Sequence, residues 1–246
     1  MQNDICEPIY ANRAVRADGV TMIRTLFLLL ALLLLSSCGE PVGGNPDARI
    51  LLMGDSMMAS NRDSGQAVAD LVEQSLGQPV IDRAVVGARY LFLGPLTGGS
   101  GLNLPAQYRP GPWDWVVLNG GGNDLLFGCG CGKCDRVLDR LIAKNGAAGA
   151  IPAFVAQMRK TGAKVIYVGY MRNPGVSTPI KACRIAGDEL DRRLTLMAGL
   201  DPGITFVPLS DLVPYGDTTL HQIDRIHPSA KGSRAIADRI ARQIAQ

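Results

Sequence analysis

Arg49-Ile50-Leu51-Leu52-Met53, followed by Gly54-Asp55-Ser56, is the stretch on which the reading of the whole chain turns. Four consecutive apolar residues closed by a turn signal have the character of a short strand buried on both faces, as found in parallel sheets. Outward from it, residues 64–76 show helical periodicity with Val68, Leu71, Val72 and Leu76 on one face and Gly77 as a stop. Strands are predicted at 80–86, 113–119, 164–170 and 205–209, and helices at 136–144, 151–160, 180–198 and 230–246. Strands alternating with helices predict an α/β fold: three α/β/α layers around a mostly parallel sheet of about five strands. In such sheets the working groups gather on loops at the carboxyl ends of strands, here after Met53, Val86, Asn119 and Leu209.

Composition narrows the partners. The 246 residues carry Lys+Arg 25 against Asp+Glu 22, a formal charge of +3, and the basic residues are scattered rather than gathered into a stripe. Without such a stripe nothing tracks a phosphate backbone, so nucleic acid is not expected as a partner. The apolar run Leu26 to Leu35 is about ten residues long, which suits the core of an export signal and is about half of what a membrane span needs. Met22-Ile23-Arg24 looks like a natural start, so residues 1–21 read as an upstream extension.

Leu35-Ser36-Ser37-Cys38 resembles the bacterial lipobox, which implies that Cys38 receives a diacylglycerol and becomes the mature N-terminus. Gly39 at the next position implies, by the same resemblance, an outer-membrane location facing the periplasm. The expected organisation is therefore signal and extension over 1–37, a Gly/Pro-rich tether anchored by lipid over 38–48, and one catalytic domain over 49–246.

Three polar clusters carry the chemistry. Ser56 follows the first strand, placed to project from a turn with its amide free. Asp224-Arg225-Ile226-His227-Pro228 precedes the last helix, and a carboxylate three residues ahead of an imidazole can hold the Nδ1 proton while Nε2 takes a hydroxyl proton. His221 has no carboxylate at that spacing and reads as a polar loop residue. Gly121-Gly122-Asn123-Asp124 follows the third strand, where the Asn123 amide can donate to an oxyanion and the glycines leave room for substrate. Gly87, after the second strand, can offer an unobstructed N–H to the same oxyanion.

In this order and spacing the four blocks resemble the SGNH/GDSL hydrolases. The blocks are Gly54-Asp55-Ser56, Gly87, Gly121 to Asp124 and Asp224 to His227. The resemblance implies a flavodoxin-like fold and a carboxylic ester hydrolase of esterase or lipase type. It implies a Ser56/His227/Asp224 triad and an oxyanion hole from the amides of Ser56 and Gly87 with the Asn123 side chain. No cofactor or metal is expected. Two positions depart from the family: Met57 replaces a common leucine, and Val85 stands where asparagine commonly precedes the glycine by two residues. An envelope O-acyltransferase using the same triad, or a non-catalytic binding lipoprotein, are the alternatives.

The expected substrate is a carboxylic ester, a glycan acetyl ester or another small-acyl or lipid ester, with small acyl and O-acetyl groups preferred. Arg89, Tyr90 and residues 93–104 are candidate pocket walls. Cys129, Cys131, Cys134 and Cys183 predict two disulfides in an oxidising compartment, with three pairings open and one clustered cysteine expected to bridge to Cys183. A four-cysteine zinc site is the alternative.

Overall fold

A computed structural model describes residues 45–91, 101–178 and 180–246. The signal and extension over 1–37, Cys38, most of the tether and residues 93–100 of the candidate wall lie outside the described residues. Ala48, at the tether's expected end, is already packed in the core. Among the described residues no helix is long and apolar enough to cross a membrane.

Five strands form one parallel sheet: β1 (Ile50–Met53), β2 (Val80–Asp82), β3 (Trp115–Leu118), β4 (Lys164–Val168) and β5 (Ile204–Val207), in spatial order β2-β1-β3-β4-β5. Register runs Leu52 to Val117 and Val117 to Ile166 across the centre. The helices are α1 (Ser56–Ala59), α2 (Val68–Leu76), α3 (Gly122–Cys129), α4 (Asp135–Leu141), α5 (Ala150–Arg159), α6 (Arg184–Leu200) and α7 (Ala230–Ile244). They cover both faces, as the alternating pattern predicts.

Strand side chains alternate between two cores because successive Cβ atoms point to opposite faces. Leu51, Met53, Val116, Leu118, Val165 and Tyr167 pack with Leu138 and Leu141 of α4, Phe154 and Met158 of α5, and Leu190 and Leu194 of α6. Ile50, Leu52, Val117, Ile166 and Val168 pack on the other side with Val68 and Leu71 of α2 and Ile236 and Ile240 of α7. Both faces of β1 are therefore buried, which is why its sequence reads as an unbroken apolar run.

Element ends differ from the sequence reading for local reasons. The first long helix starts at Val68 rather than 64, because Gly65 takes a left-handed conformation (φ +64°) after a 3₁₀ turn over Arg62–Ser64. β2 stops at Asp82 because that side chain accepts the Ala84 amide (2.9 Å) and turns the chain. α6 starts at Arg184, after a 3₁₀ turn over Lys181–Cys183, and runs on to Leu200. α3 is not among the predicted helices: Gly121 at φ +99° is its N-cap, and the glycine cluster after β3 leads into a helix.

Candidate active site

The carboxyl edge of the sheet carries the site. β1 ends at Met53, and Gly54 makes the transition to α1 at φ +152°. A Cβ on Gly54 would collide with Asn119 Oδ1, so only glycine lets these chains approach. Buried Gln107 acts as a surrogate strand neighbour: its Oε1 accepts the Gly54 amide and its Nε2 donates to the Gly54 carbonyl, both at 2.9 Å. Asp55 caps α1 by accepting the Met57 amide at 3.0 Å, and Ser56 follows at the first position of the helix.

Ser56 Oγ lies 2.9 Å from His227 Nε2, and His227 Nδ1 lies 2.5 Å from Asp224 Oδ2. Asp224 turns back onto the imidazole because Arg225 adopts a left-handed conformation (φ +58°). Its other carboxylate oxygen accepts the amides of Ile226 (2.9 Å) and His227 (3.0 Å). Partial burial works to raise the Asp224 pKa, but the imidazole and those two amides outweigh it and hold the carboxyl below its ordinary range. Asp224 is thus an anion at neutral pH, and it holds the His227 ring with Nε2 turned toward Ser56 Oγ.

The chain joins these distant loops with polar contacts the sequence reading did not assign. Asn61, just past α1, donates to the Pro228 carbonyl (3.0 Å) and to Ser233 Oγ (2.9 Å), and accepts from Gln222 Nε2 (3.1 Å). It fastens the Ser56 segment to the histidine loop. Ser229 caps α7 by accepting the Gly232 amide at 3.1 Å, which fixes the other end of that loop.

Gly87 and Asn123 line the same cavity as Ser56. The amides of Ser56 and Gly87 donate to no other group among the described residues, and Gly87 takes φ +81°. Asn123 Nδ2 donates to the Ala88 carbonyl at 3.1 Å, which leaves its second N–H to point elsewhere. Buried Asp124 accepts the amides of Tyr90 (3.1 Å) and Leu91 (2.7 Å), tying the Asn123 helix to the Gly87 loop. Burial raises the Asp124 pKa, and these two amides oppose the rise. Val85 in the second block therefore does not displace Gly87 from the site.

One expectation is corrected here. Tyr90 is buried in the core and does not form the cavity wall, whereas Arg89 lies over the ring of Phe127, which does (5.5 Å). His221 lies in a loop as expected, but it is 4% exposed, and neither ring nitrogen meets a partner among the described residues. Burial lowers its pKa.

The cavity holds about 850 Å³, with Met57, Val86, Leu126, Phe127 and Val213 as apolar walls and Lys181 and Arg184 among its polar ones. Disulfides join Cys129 to Cys134 (Cα–Cα 5.3 Å) and Cys131 to Cys183 (4.5 Å). One clustered cysteine bridges to Cys183 as expected, and all four sulfurs are paired. Cys183 itself lines the cavity.

Comparison with known proteins agrees with the geometry. Residues 52–235 match the GDSL-like lipase/acylhydrolase family. No match is found among curated protein sequences. Similar solved structures include a GDSL-like lipase from Bacteroides thetaiotaomicron (18% identity, covering 88% of this chain and 96% of that one, TM-score 0.50). A family two carbohydrate esterase from Clostridium thermocellum in complex with cellohexaose is also similar (18% identity, 80% and 63% covered, TM-score 0.52). So is a carbohydrate esterase family 2 enzyme with its carbohydrate-binding domain from Corynascus thermopiles (18% identity, 83% and 68% covered, TM-score 0.53). At these identities the structural likeness speaks to the fold. The family match, which spans well over half of the chain and contains all four sequence blocks, is what places it: the protein belongs to the GDSL-like lipase/acylhydrolases, enzymes that hydrolyse carboxylic esters.

Proposed function

We propose that this protein cleaves small-acyl esters, O-acetyl esters foremost, by a two-step mechanism with Ser56 as nucleophile, His227 as base and Asp224 as the orienting carboxylate. The observation that carries the reading is the unbroken run of hydrogen bonds from Ser56 Oγ through His227 to Asp224, beside two amides with no acceptor among the described residues. His227 Nε2 accepts the hydroxyl proton as Ser56 Oγ attacks the ester carbonyl carbon. The resulting oxyanion is met by the Ser56 and Gly87 amides and the second N–H of Asn123. The imidazolium then returns its proton to the departing alcohol, leaving an acyl-Ser56 intermediate. Water deprotonated by His227 releases the acid and restores the serine.

The alcohol part of the substrate occupies the wider cavity, whose about 850 Å³ exceeds what an acetyl group needs. Two similar structures are carbohydrate esterases, which supports an acylated glycan as that alcohol. We further propose that Cys38 bears the lipid that holds the enzyme on the outer membrane. Radiolabelled palmitate incorporated by the wild type and not by Cys38→Ala would support the anchor; equal labelling of both would refute it.

Hydrolysis of p-nitrophenyl esters from acetate to palmitate, by wild type beside Ser56→Ala, tests the catalytic reading. Turnover that is fastest on acetate and abolished in Ser56→Ala is the expected result. Equal activity in Ser56→Ala would remove Ser56 as the nucleophile, and a profile peaking at long chains would overturn the small-acyl preference.

A further inference from the structure

Tyr170 stands two residues beyond the end of β4, on the one carboxyl-edge loop for which the sequence gives no motif. Its hydroxyl makes two hydrogen bonds in opposite senses. It donates to Asp55 Oδ2 at 2.5 Å and accepts the Gly122 amide at 3.0 Å. Asp55 is the residue before Ser56, and Gly122 is the residue before Asn123. One oxygen atom therefore bridges the backbone segment that carries the nucleophile to the segment that carries the oxyanion amide.

Both ends of this bridge are otherwise saturated and rigid. Asp55 is 2% exposed, and its second carboxylate oxygen accepts from Met57 N (3.0 Å) and Asn119 Nδ2 (3.2 Å). Asn119 Oδ1 returns the contact by accepting the Asp55 amide at 3.1 Å. The Tyr170 ring lies so close over Gly122 that a Cβ there would come within 2.7 Å of Cζ. The Tyr170 carbonyl accepts from Arg172 Nη1 (2.8 Å), and Arg172 is itself gripped by Asp188 and Asp191 of α6. The backbone that carries the ring is thus held from behind.

We propose that Tyr170 is a positioning residue for ester hydrolysis: its hydroxyl sets the spacing between Ser56 and Asn123, and so aligns the oxyanion donor with the tetrahedral intermediate. This rests on the roles proposed above for Ser56 and Asn123. A misplacement of a fraction of an ångström matters because the amide must meet the oxyanion of the intermediate rather than the ground-state carbonyl. The role predicts a loss in kcat with little change in KM, since ground-state binding makes no use of that alignment.

The test is a double-mutant cycle on p-nitrophenyl acetate with the full protein: wild type, Tyr170→Phe, Asn123→Ala and the double variant. Tyr170→Phe keeps the ring over Gly122 and removes one oxygen. Its kcat is expected to fall about 10-fold with KM within about twofold, and Asn123→Ala to fall about 100-fold. In the Asn123→Ala background the Tyr170→Phe effect is expected to shrink to about twofold, because the group being aligned is already gone.

Tyr167→Phe is the control for general loosening. Its hydroxyl donates to the Gly120 carbonyl at 3.0 Å from inside the core, without touching Asp55 or Gly122. It is expected to lower the melting temperature and leave kcat unchanged. Additive losses in the cycle, an unaltered kcat in Tyr170→Phe, or an equal kcat loss in Tyr167→Phe would each overturn the inference. Ser56→Ala run alongside separates this from failure of the catalytic reading: persistent activity there refutes the nucleophile, whereas Ser56-dependent activity indifferent to Tyr170 refutes only the positioning role.

Discussion

Removing the Cys131–Cys183 bridge is expected to cost about twice as much stability as removing Cys129–Cys134. A disulfide acts largely by restricting the unfolded chain, and the restriction grows with the logarithm of the loop it closes. The two bridges span 52 and 5 positions, which differ tenfold. Chain-entropy scaling then gives about 4 kcal/mol for the long loop and about 2 kcal/mol for the short one. With a urea dependence of about 2 kcal/mol per molar, the midpoint should fall by about 2 M in Cys131→Ser/Cys183→Ser and about 1 M in Cys129→Ser/Cys134→Ser. Paired substitutions avoid leaving a lone thiol to form new bridges. The long bridge also fastens the end of α3 to the turn before α6, and Cys183, Lys181 and Arg184 all line the cavity. KM for bulky esters should therefore rise in Cys131→Ser/Cys183→Ser, while kcat on p-nitrophenyl acetate holds. Equal or reversed midpoint losses, with unchanged denaturant slopes, would refute the argument that loop length governs the two contributions.

Two further outcomes follow from the site. Asp224→Asn keeps the shape of the loop and removes the charge that stabilises the imidazolium. Its kcat should fall by about 10³ to 10⁴ with KM within a few-fold, and a loss under tenfold would show that the carboxylate is dispensable. His221 bears on acid stability through linkage. Its folded pKa is lowered by burial, so below the ordinary imidazole value of about 6.5 the unfolded chain takes up a proton more readily than the folded one. The stability present above that pH is lost as pH falls through and below it. His221→Leu should flatten the fall in melting temperature between about pH 7 and pH 5, and an unchanged acid slope would refute this.

How much of this was legible in the sequence depends on how local each cause is. The three central strands β1, β3 and β4 stand out because both faces are buried and the apolar runs are short and uninterrupted. Asp224 and His227 stand out because three residues is the reach of a turn that returns a carboxylate to a ring. The helix α3 stayed hidden because Gly120, Gly121 and Gly122 imitate a turn. Two of those glycines answer to tertiary neighbours: a Cβ on Gly120 would strike Leu104 and Tyr90, and one on Gly122 would strike Tyr170. Close approach, not chain reversal, explains them. His221 reads correctly as a loop residue, but its burial is not legible in the sequence. Its neighbours Thr218, Thr219 and Gln222 are polar, and its burial comes from the bridge to Pro228 on the returning chain.

The residues to which sequence reading gives a role and those to which it gives none divide by function. Ser56, His227 and Asn123 face the cavity, and their chemistry is announced by residue type and spacing. Asp55, Asn61, Gln107, Asp124 and Tyr170 hold those groups where they are, and each does so by a polar contact across more than 30 positions of sequence. A buried polar group without its partner costs about 1–3 kcal/mol, so each such contact strongly disfavours arrangements that break it. The parallel sheet alone leaves four loops free to move independently at its carboxyl edge. These contacts tie them pairwise: β1 loop to β2 loop through Gln107 and Gly54, β2 loop to α3 through Asp124, β1 loop to α3 through Tyr170, and α1 to the histidine loop through Asn61. Preorganisation of the catalytic groups is therefore a property of this closed set of ties rather than of the sheet, and a substitution within it should reach turnover before it reaches the fold.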